Sequence, residues 1–249
     1  TPSNSSAASD VYKRQDYYNA FMFEQEALSL LDSLFTRMNP VIMTGGSGLY
    51  INAVCYGIDD IPSVDHEVRD MLQDKYQTEG IESLRTMLKK LDPEYYTQVD
   101  LRNPKRILKA LEISVMTGKP YSSFLTRKAK SRNFRILKIG ITPERDVLYD
   151  RINNRVDEMI DKGLIEEARA LMPHRHLNAL NTVGYKELFA WFDGEITRDE
   201  AISQIKRNTR RYARKQLTWF RKDKDIRWFK PEEKDQVLKL ILNMMNNGN

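Results

Sequence analysis

The chain has 249 residues, 41% hydrophobic and 30% charged, enough for one large domain or two small ones and able to bury about 70–75% of its unfolded surface. That composition excludes collagen-like, mucin-like and low-complexity chains, and the single cysteine, Cys55, excludes an internal disulfide and a multi-cysteine zinc site. Lys plus Arg number 40 and Asp plus Glu 35, a net +5 that is too mild to name a partner by itself.

Residues 1–15 (TPSNSSAASDVYKRQ) have no periodicity and no core residues, and read as a non-native scar rather than part of the fold. Residues 16–37 place Phe21, Ala27, Leu28, Leu31, Leu34 and Phe35 at helical spacing. Asn39-Pro40 breaks that pattern, and Val41-Ile42-Met43-Thr44 follows as a short apolar strand candidate. Gly45-Gly46-Ser47-Gly48 then turns the chain into helix-compatible spacing from Leu49 to Val54. Helix, buried strand, glycine-rich turn and helix is the rhythm of a parallel sheet wrapped by helices.

Residues 63–130 differ. They read as charged amphipathic helices over 67–78, 80–91, 93–99 and 104–116, with no strand. Residues 134–141 read as a strand again, and Thr142-Pro143-Glu144 as a helix start with proline in the first turn. A long helix runs through Leu148, Ile152, Val156, Met159 and Ile160, and two more cover 185–192 and 198–220. The expected architecture is an α/β core formed by 16–62 and 131–249, with a helical insertion domain at 63–130.

Basic residues cluster in three places. Lys206, Arg207, Arg210, Arg211, Arg214, Lys215, Arg221 and Lys222 carry no acid among them, and Tyr212, Trp219 and Phe220 interleave. Spacings of three and four put Arg207, Arg210, Arg211 and Arg214 along one helix flank. Uncompensated arginines beside aromatic rings suit the phosphates and bases of RNA, the alternative being a solvated helix face. Arg127, Lys128, Lys130, Arg132, Arg135 and Lys138 form a second cluster, equally readable as a charged linker. Arg102, Lys105, Arg106 and Lys109 form a third, with Arg102, Arg106 and Lys109 on one flank if the helix begins near 102.

Arg151 and Arg155, at i and i+4, can grip a diphosphate with two forked guanidiniums, or pair with Asp150, Asp157 or Glu158. The glycine-rich turn at 45–48 is a weak anion-site signal. The one Gly-Lys pair, Gly118-Lys119-Pro120, lacks the upstream glycine and the following Ser or Thr of a Walker A loop. His66, His174 and His176 have no metal-ligand spacing and are expected on the surface, so no protein metal site is read. No apolar run approaches the ~20 residues of a membrane span and no signal peptide is visible; the expected location is the cytoplasm.

Several short motifs occur in one order: Thr44-Gly45-Gly46-Ser47-Gly48-Leu49-Tyr50, Asp60-Ile61-Pro62, Arg69, Asp92-Pro93, the run from Asn103 to Glu112, Thr117-Gly118-Lys119-Pro120, Val183-Gly184-Tyr185-Lys186, and the run from Thr209 to Arg221. As an ordered set they resemble bacterial tRNA dimethylallyltransferases, over residues 16 to about 229. The resemblance implies a P-loop NTPase-like parallel core with a helical insertion domain. It implies transfer of a dimethylallyl group from dimethylallyl diphosphate to N6 of the adenosine 3′-adjacent to the tRNA anticodon. The base would be flipped into a channel, an Asp would take the proton, and Mg²⁺ with cationic groups would stabilise the leaving diphosphate.

By motif, Arg155 falls on the catalytic arginine at the diphosphate side. Ser47 and Arg69 fall on tRNA contacts, as do Lys105, Arg106, Ile107, Leu108 and Lys109, and Asn181, Thr182, Val183, Gly184, Tyr185 and Lys186. Asn181-Thr182 departs from the usual residues before Val-Gly-Tyr. Arg210, Arg211 and Arg214 are further RNA or phosphate candidates. The implied partners are the anticodon stem-loop of tRNA and dimethylallyl diphosphate, the cofactor Mg²⁺, and the implied state a monomer with no membrane partner.

The family's P-loop and catalytic Asp precede the matched region; Asp10 lies in the scar and Asp16 before a different helix, so neither is the base. The first strands and the P-loop are therefore expected to be missing, the sheet to have an unpaired edge, and the chain as written to be inactive and poorly soluble. A P-loop small-molecule kinase relative, binding ATP and not needing the basic helix, is one alternative. A non-catalytic RNA-binding protein is the other.

Overall fold

The computed structural model describes residues 18–62, 65–126 and 129–246; the scar at 1–15, Asp10, Asp16, Arg127 and Lys128 lie outside them. The described chain forms two compact units. One comprises 20–29 and 52–133, the other 30–51 and 134 onward, with 18–19. The helical unit thus takes in 20–29 and 52–62, which the sequence pattern had placed in the core.

The helical unit is built on α3 (His66–Leu91), α4 (Pro93–Tyr96), α5 (Pro104–Thr117) and a 3-10 turn, Tyr121–Phe124. The two helices expected at 67–78 and 80–91 form one element kinked at Gly80, whose φ of 75° breaks the helical ladder. Leu72, Leu84 and Leu88 of α3 meet Ile107, Ala110 and Leu111 of α5 in a core with no exposed surface. The spacings of three and four give each helix one apolar stripe. Asp92 is fully buried and saturated: its carboxylate accepts from the Tyr95 N–H at 2.9 Å and from the Ser122 N–H and hydroxyl at 2.6 and 2.8 Å. It therefore caps α4 and pins the 3-10 turn at once. Asn103 caps α5, with Pro104 at its first position. Arg102 lies in the turn before α5, so it does not share that helix's flank with Arg106 and Lys109.

A buried carboxylate also anchors the chain's exit from this unit. Glu24, on α1 (Ala20–Phe35), accepts from Arg132 Nη2 at 2.7 Å, Lys130 Nζ at 3.3 Å and the Ile58 N–H at 3.0 Å. Arg132 donates as well to the Val54 and Ala53 carbonyls of α2 (Gly48–Tyr56), both at 2.8 Å. Burial pushes the Glu24 carboxyl up, but these donors outweigh it and hold it below the usual glutamate range.

The other unit carries the sheet. β1 (Ile139–Ile141) pairs in parallel with β2 (Arg227–Phe229), Gly140 opposite Trp228. The indole lies so close that a Cβ on Gly140 would be 2.6 Å from it. Lys138 fixes the register: its Nζ reaches Asp223 at 2.7 Å and Asp225 at 3.3 Å, ahead of β2. Between the strands run α6 (Arg145–Asp161), α7 (Leu164–Leu171), 3-10 turns at Met172–His174 and Asn178–Leu180, α8 (Tyr185–Phe192) and α9 (Arg198–Phe220). α10 (Lys234–Asn246) follows β2. Val156, Leu164, Ala168, Leu171, Leu180, Leu188, Phe189 and Ile205 make its core.

The fold is α/β, mostly helical with a small parallel sheet. Three expectations need correction. The strand at 41–44 does not form: Ile42 is 76% exposed, and a lone segment has no ladder to join. The strand expected over 134–141 shrinks to Ile139–Ile141, the three residues that find a partner in β2. Pro143 precedes the first turn of α6, since Glu144 is the N-cap.

Candidate nucleic-acid interface

α9 positions most of the candidate residues in its unit. Its start is fixed by a capping box: Thr197 Oγ1 accepts the Glu200 N–H at 3.2 Å and Glu200 Oε2 accepts the Thr197 N–H at 2.8 Å. Ala201 and Ile205 then bury the helix's inner side. The next turns reach sideways. Lys206 pairs with Asp157 at 2.6 Å, and Arg210 Nη1 donates to Asn153 Oδ1 at 2.5 Å. Both partners lie on α6 at i and i+4, so a matched pair of steps locks the helices. The Arg210 guanidinium also stands 5.9 Å from the Tyr149 ring, and that of Arg145 5.2 Å from the same ring.

Farther along, α9 meets the glycine-rich turn. Gln216 Nε2 donates to the Gly46 carbonyl at 2.8 Å, and a Cβ on Gly46 would stand 2.6 Å from that nitrogen. The Trp219 indole covers Gly48, leaving no room there for a side chain. Gly48 is therefore required by close approach to a rigid ring, not by backbone conformation, whereas a side chain at Gly46 would meet only the flexible end of Gln216. Ser47 is exposed at the start of α2, and its carbonyl accepts the Ile51 N–H at 3.0 Å.

Beside this contact runs a groove of about 480 Å³ lined by Arg211, Arg214, Lys215, Thr218, Trp219 and Lys222. Arg211 reaches only Asn208 Oδ1, at 3.5 Å. Among the described residues no carboxylate comes within ion-pair distance of any of the four cations. The groove thus joins unneutralised positive charge to an indole that is 45% exposed, the pairing that suits a nucleic-acid strand.

The segment 181–186 is tied to α9 from the other side. Asn181, Thr182, Val183 and Lys186 are exposed, whereas Gly184 is buried at φ 108°. The Gly184 N–H donates to Glu187 Oε2 at 2.8 Å, and Glu187 Oε1 accepts from Asn208 Nδ2 at 2.7 Å. The Tyr185 hydroxyl donates to Glu167 at 2.5 Å. Burial first, and the Glu167 carboxylate second, push that phenol above its ordinary value, so it stays protonated.

Arg155 is exposed on α6 and makes no ion pair among the described residues. Two of the acids nearest it in the chain are already engaged, Asp157 by Lys206 and Glu158 by Lys162 at 3.5 Å. It stands about 200° around the helix from Asn153, so α6 turns Arg155 away from its α9-facing side.

In the helical unit, Arg69 Nε donates to the buried Glu112 at 3.2 Å. Of the run at 105–109, Lys105 and Arg106 are exposed and Lys109 half-buried. Ile107 has no exposed surface and Leu108 packs on the same core. The apolar stripe of α5 puts both on the side that packs into the helical unit's core. Three of the linker cations are also spoken for, Lys130 and Arg132 by Glu24 and Lys138 by two aspartates, while Arg135 is exposed. His176 is exposed and His174 half-buried; the His66 side chain lies outside the described set.

Sequence reasoning missed Glu187, Asn208 and Gln216. The first had a signal: Gly184-Tyr185-Lys186-Glu187 has the spacing of an N-cap and its N3 acid. Gln216 had none, because its partner is 170 residues away in the chain. Among the described residues no three His, Cys, Asp or Glu side chains converge on a metal position. No described helix is long and apolar enough to cross a membrane.

A family model described as IPP transferase matches residues 7–223, beginning inside the 1–15 segment. The chain is 55% identical over 226 residues to tRNA dimethylallyltransferase 1 of Bacteroides thetaiotaomicron, covering 91% of this chain and 73% of that one. It is 56% identical to the protein of the same name from Bacteroides fragilis, covering 91% and 75%. Among solved structures it is similar to a tRNA isopentenylpyrophosphate transferase from Bacillus halodurans, at 34% identity and TM-score 0.58, over 93% of this chain and 74% of that one. A eukaryotic dimethylallyltransferase acting on tRNA shares the fold, at 22% identity and TM-score 0.69, over 86% and 57%. The chain belongs to the IPP transferase family, with these tRNA dimethylallyltransferases as its relatives.

Proposed function

We propose that the chain serves tRNA prenylation: transfer of the dimethylallyl group of dimethylallyl diphosphate to N6 of the adenosine 3′-adjacent to the anticodon. The new N–C bond replaces the C–O bond to diphosphate, and one N6 proton leaves. The observation that carries the reading is the docking of three candidate RNA-contacting parts on α9. These are the Ser47 turn through Gln216 and Trp219, the 181–186 segment through Asn208, and the open cationic groove. In this reading Arg211, Arg214, Lys215 and Lys222 pair with phosphates, and Trp219 offers a face for a base.

Lys105, Arg106 and Lys109 of the helical unit add backbone contacts of their own, and Arg69 is held for the same duty by Glu112. Arg155, free of any carboxylate among the described residues, receives charge that develops on the leaving diphosphate. The resemblance to a P-loop core and to a Mg²⁺-dependent reaction belongs to the same proposal, with the chain acting as a monomer.

The test is incubation with labelled dimethylallyl diphosphate, Mg²⁺ and an anticodon stem-loop bearing adenosine at the target position. It is run with the chain alone and with the chain extended by its upstream reading frame. Label in the RNA supports transfer. RNA bound without label in both arms points to the non-catalytic binding protein, and no RNA binding in either overturns the reading. Label with the chain alone overturns the expectation that it is inactive as written.

A further inference from the structure

We infer that Glu187, with Asn208 behind it, is the positioning residue for the RNA-facing segment 181–186; the inference rests on the function proposed above. Glu187 is 6% exposed, too buried to touch a phosphate, and as an anion it would repel one. Its two oxygens are used in opposite directions. Oε2 takes the Gly184 N–H at 2.8 Å and Oε1 takes Asn208 Nδ2 at 2.7 Å. Gly184 sits at φ 108° and ψ −64°, a conformation that side-chain-bearing residues rarely adopt and glycine itself does not need without a reason. That conformation turns the Gly184 N–H inward onto the carboxylate. It leaves Asn181, Thr182, Val183 and Lys186 exposed on either side.

The carboxylate is therefore an internal peg for a turn whose outer side is the candidate contact. Asn208 lies two residues before Arg210 and three before Arg211 on α9, and its Oδ1 accepts from Arg211 at 3.5 Å. The same amide thus spans the peg and the first cation of the groove. A displaced Glu187 releases the turn and the α9 cation from their common frame.

The sign of the charge makes the test decisive. Glu187→Ala removes a buried negative charge, so plain electrostatics favours RNA binding by the variant. The peg predicts the reverse, a loss of roughly tenfold in affinity for the anticodon stem-loop, about the worth of one strong hydrogen bond. Glu187→Gln keeps an oxygen for the Gly184 N–H, and a turned-over Asn208 amide can accept from its new NH₂. It should bind within about threefold of the parent. Amide exchange at Gly184 should be fast in Glu187→Ala and protected in the parent and Glu187→Gln.

Glu187→Ala that is folded and binds RNA as tightly as the parent overturns the inference, even if it melts earlier. If Glu187→Ala does not fold, Asn208→Asp sets two carboxylates face to face and should weaken binding. Glu187→Gln/Asn208→Asp should then restore it, and failure of that rescue overturns the inference too. Lys186→Ala separates the two readings. If the parent does not bind RNA, the proposed function falls and this inference with it. If the parent binds and Lys186→Ala weakens it while Glu187→Ala does not, only the peg falls.

Discussion

Two stretches of this chain are almost equally rich in positive charge, and several of their described cations are put to opposite uses. Residues 127–138 hold six cations and residues 206–222 eight, with no acid in either. In the first, Lys130 and Arg132 close on the buried Glu24, and Lys138 on Asp223 and Asp225. In the second, Lys206 alone pairs with an acid among the described residues, Asp157, while Arg211, Arg214, Lys215 and Lys222 line an open groove. A buried carboxylate converts an arginine into a structural pin, because leaving the carboxylate unpaired costs several kcal/mol. Where none is within reach, the arginine keeps its charge for a ligand. Local density of charge says nothing about which case holds; the position of distant acids does.

The comparison breaks most visibly at Glu24. Glu24→Gln leaves Arg132, whose side chain is 9% exposed, without its counter-ion. Loss of one partner of such a pair should cost about 3–5 kcal/mol, read as a lower urea midpoint, with RNA affinity of the folded protein unchanged. The same pair sets an acid limit. Because the folded Glu24 pKa is lowered from 4.5, its contribution to stability is fully present above that value. It is lost as pH falls below 4.5 through the folded value. Urea midpoints measured from mildly to strongly acidic pH should fall more steeply in the parent than in Glu24→Gln, where the other carboxylates held low in the fold still contribute.

The next effect in size is at the turn. Gly48→Ala drives a methyl into the Trp219 indole, so the ring must leave its seat. Overpacking of this kind costs about 1–3 kcal/mol in thermal or urea unfolding. Unlike Glu24→Gln, it should also weaken RNA binding. The smallest effects are the individual groove cations. Arg211→Ala and Arg214→Ala should leave stability unchanged and lower the slope of log affinity against log salt by about 0.7 each, the value for a single-stranded contact. Arg132→Ala should leave that slope alone. A change in slope for Arg132→Ala, or none for the groove arginines, reverses the assignment of the two clusters.

Local signals in the sequence carried a good share of this fold. Helices α8 and α9 form over the residues expected, since Gly184, Thr197 and Glu200 mark their starts in the chain itself. Gly80 and Asn103-Pro104 likewise place a kink and a helix start. What failed was whatever depends on a partner. Val41 to Thr44 has strand composition, but a strand exists only where another backbone pairs with it. β2, α7 and α10 escaped notice, β2 because three residues are too short for periodicity. In the interface, the exposed arginines were legible from spacing alone. Of the buried or distant groups that hold it, Glu187 left a local trace in its spacing from Gly184, whereas Asn208 and Gln216 left none, because each acts on residues that the fold, not the chain order, brings near.

The seat of Trp219 on Gly48 has one more consequence. The ring is one of three tryptophans in the chain, and it lies in the cationic groove with nearly half its surface open to solvent. Its emission therefore samples the groove directly, while Trp191 stacks near Phe192 in α8 and Trp228 lies over Gly140 in the sheet. With those two replaced by phenylalanine, the protein carries its own optical label at the place where an RNA strand would arrive. Occupancy could be followed in real time without a dye.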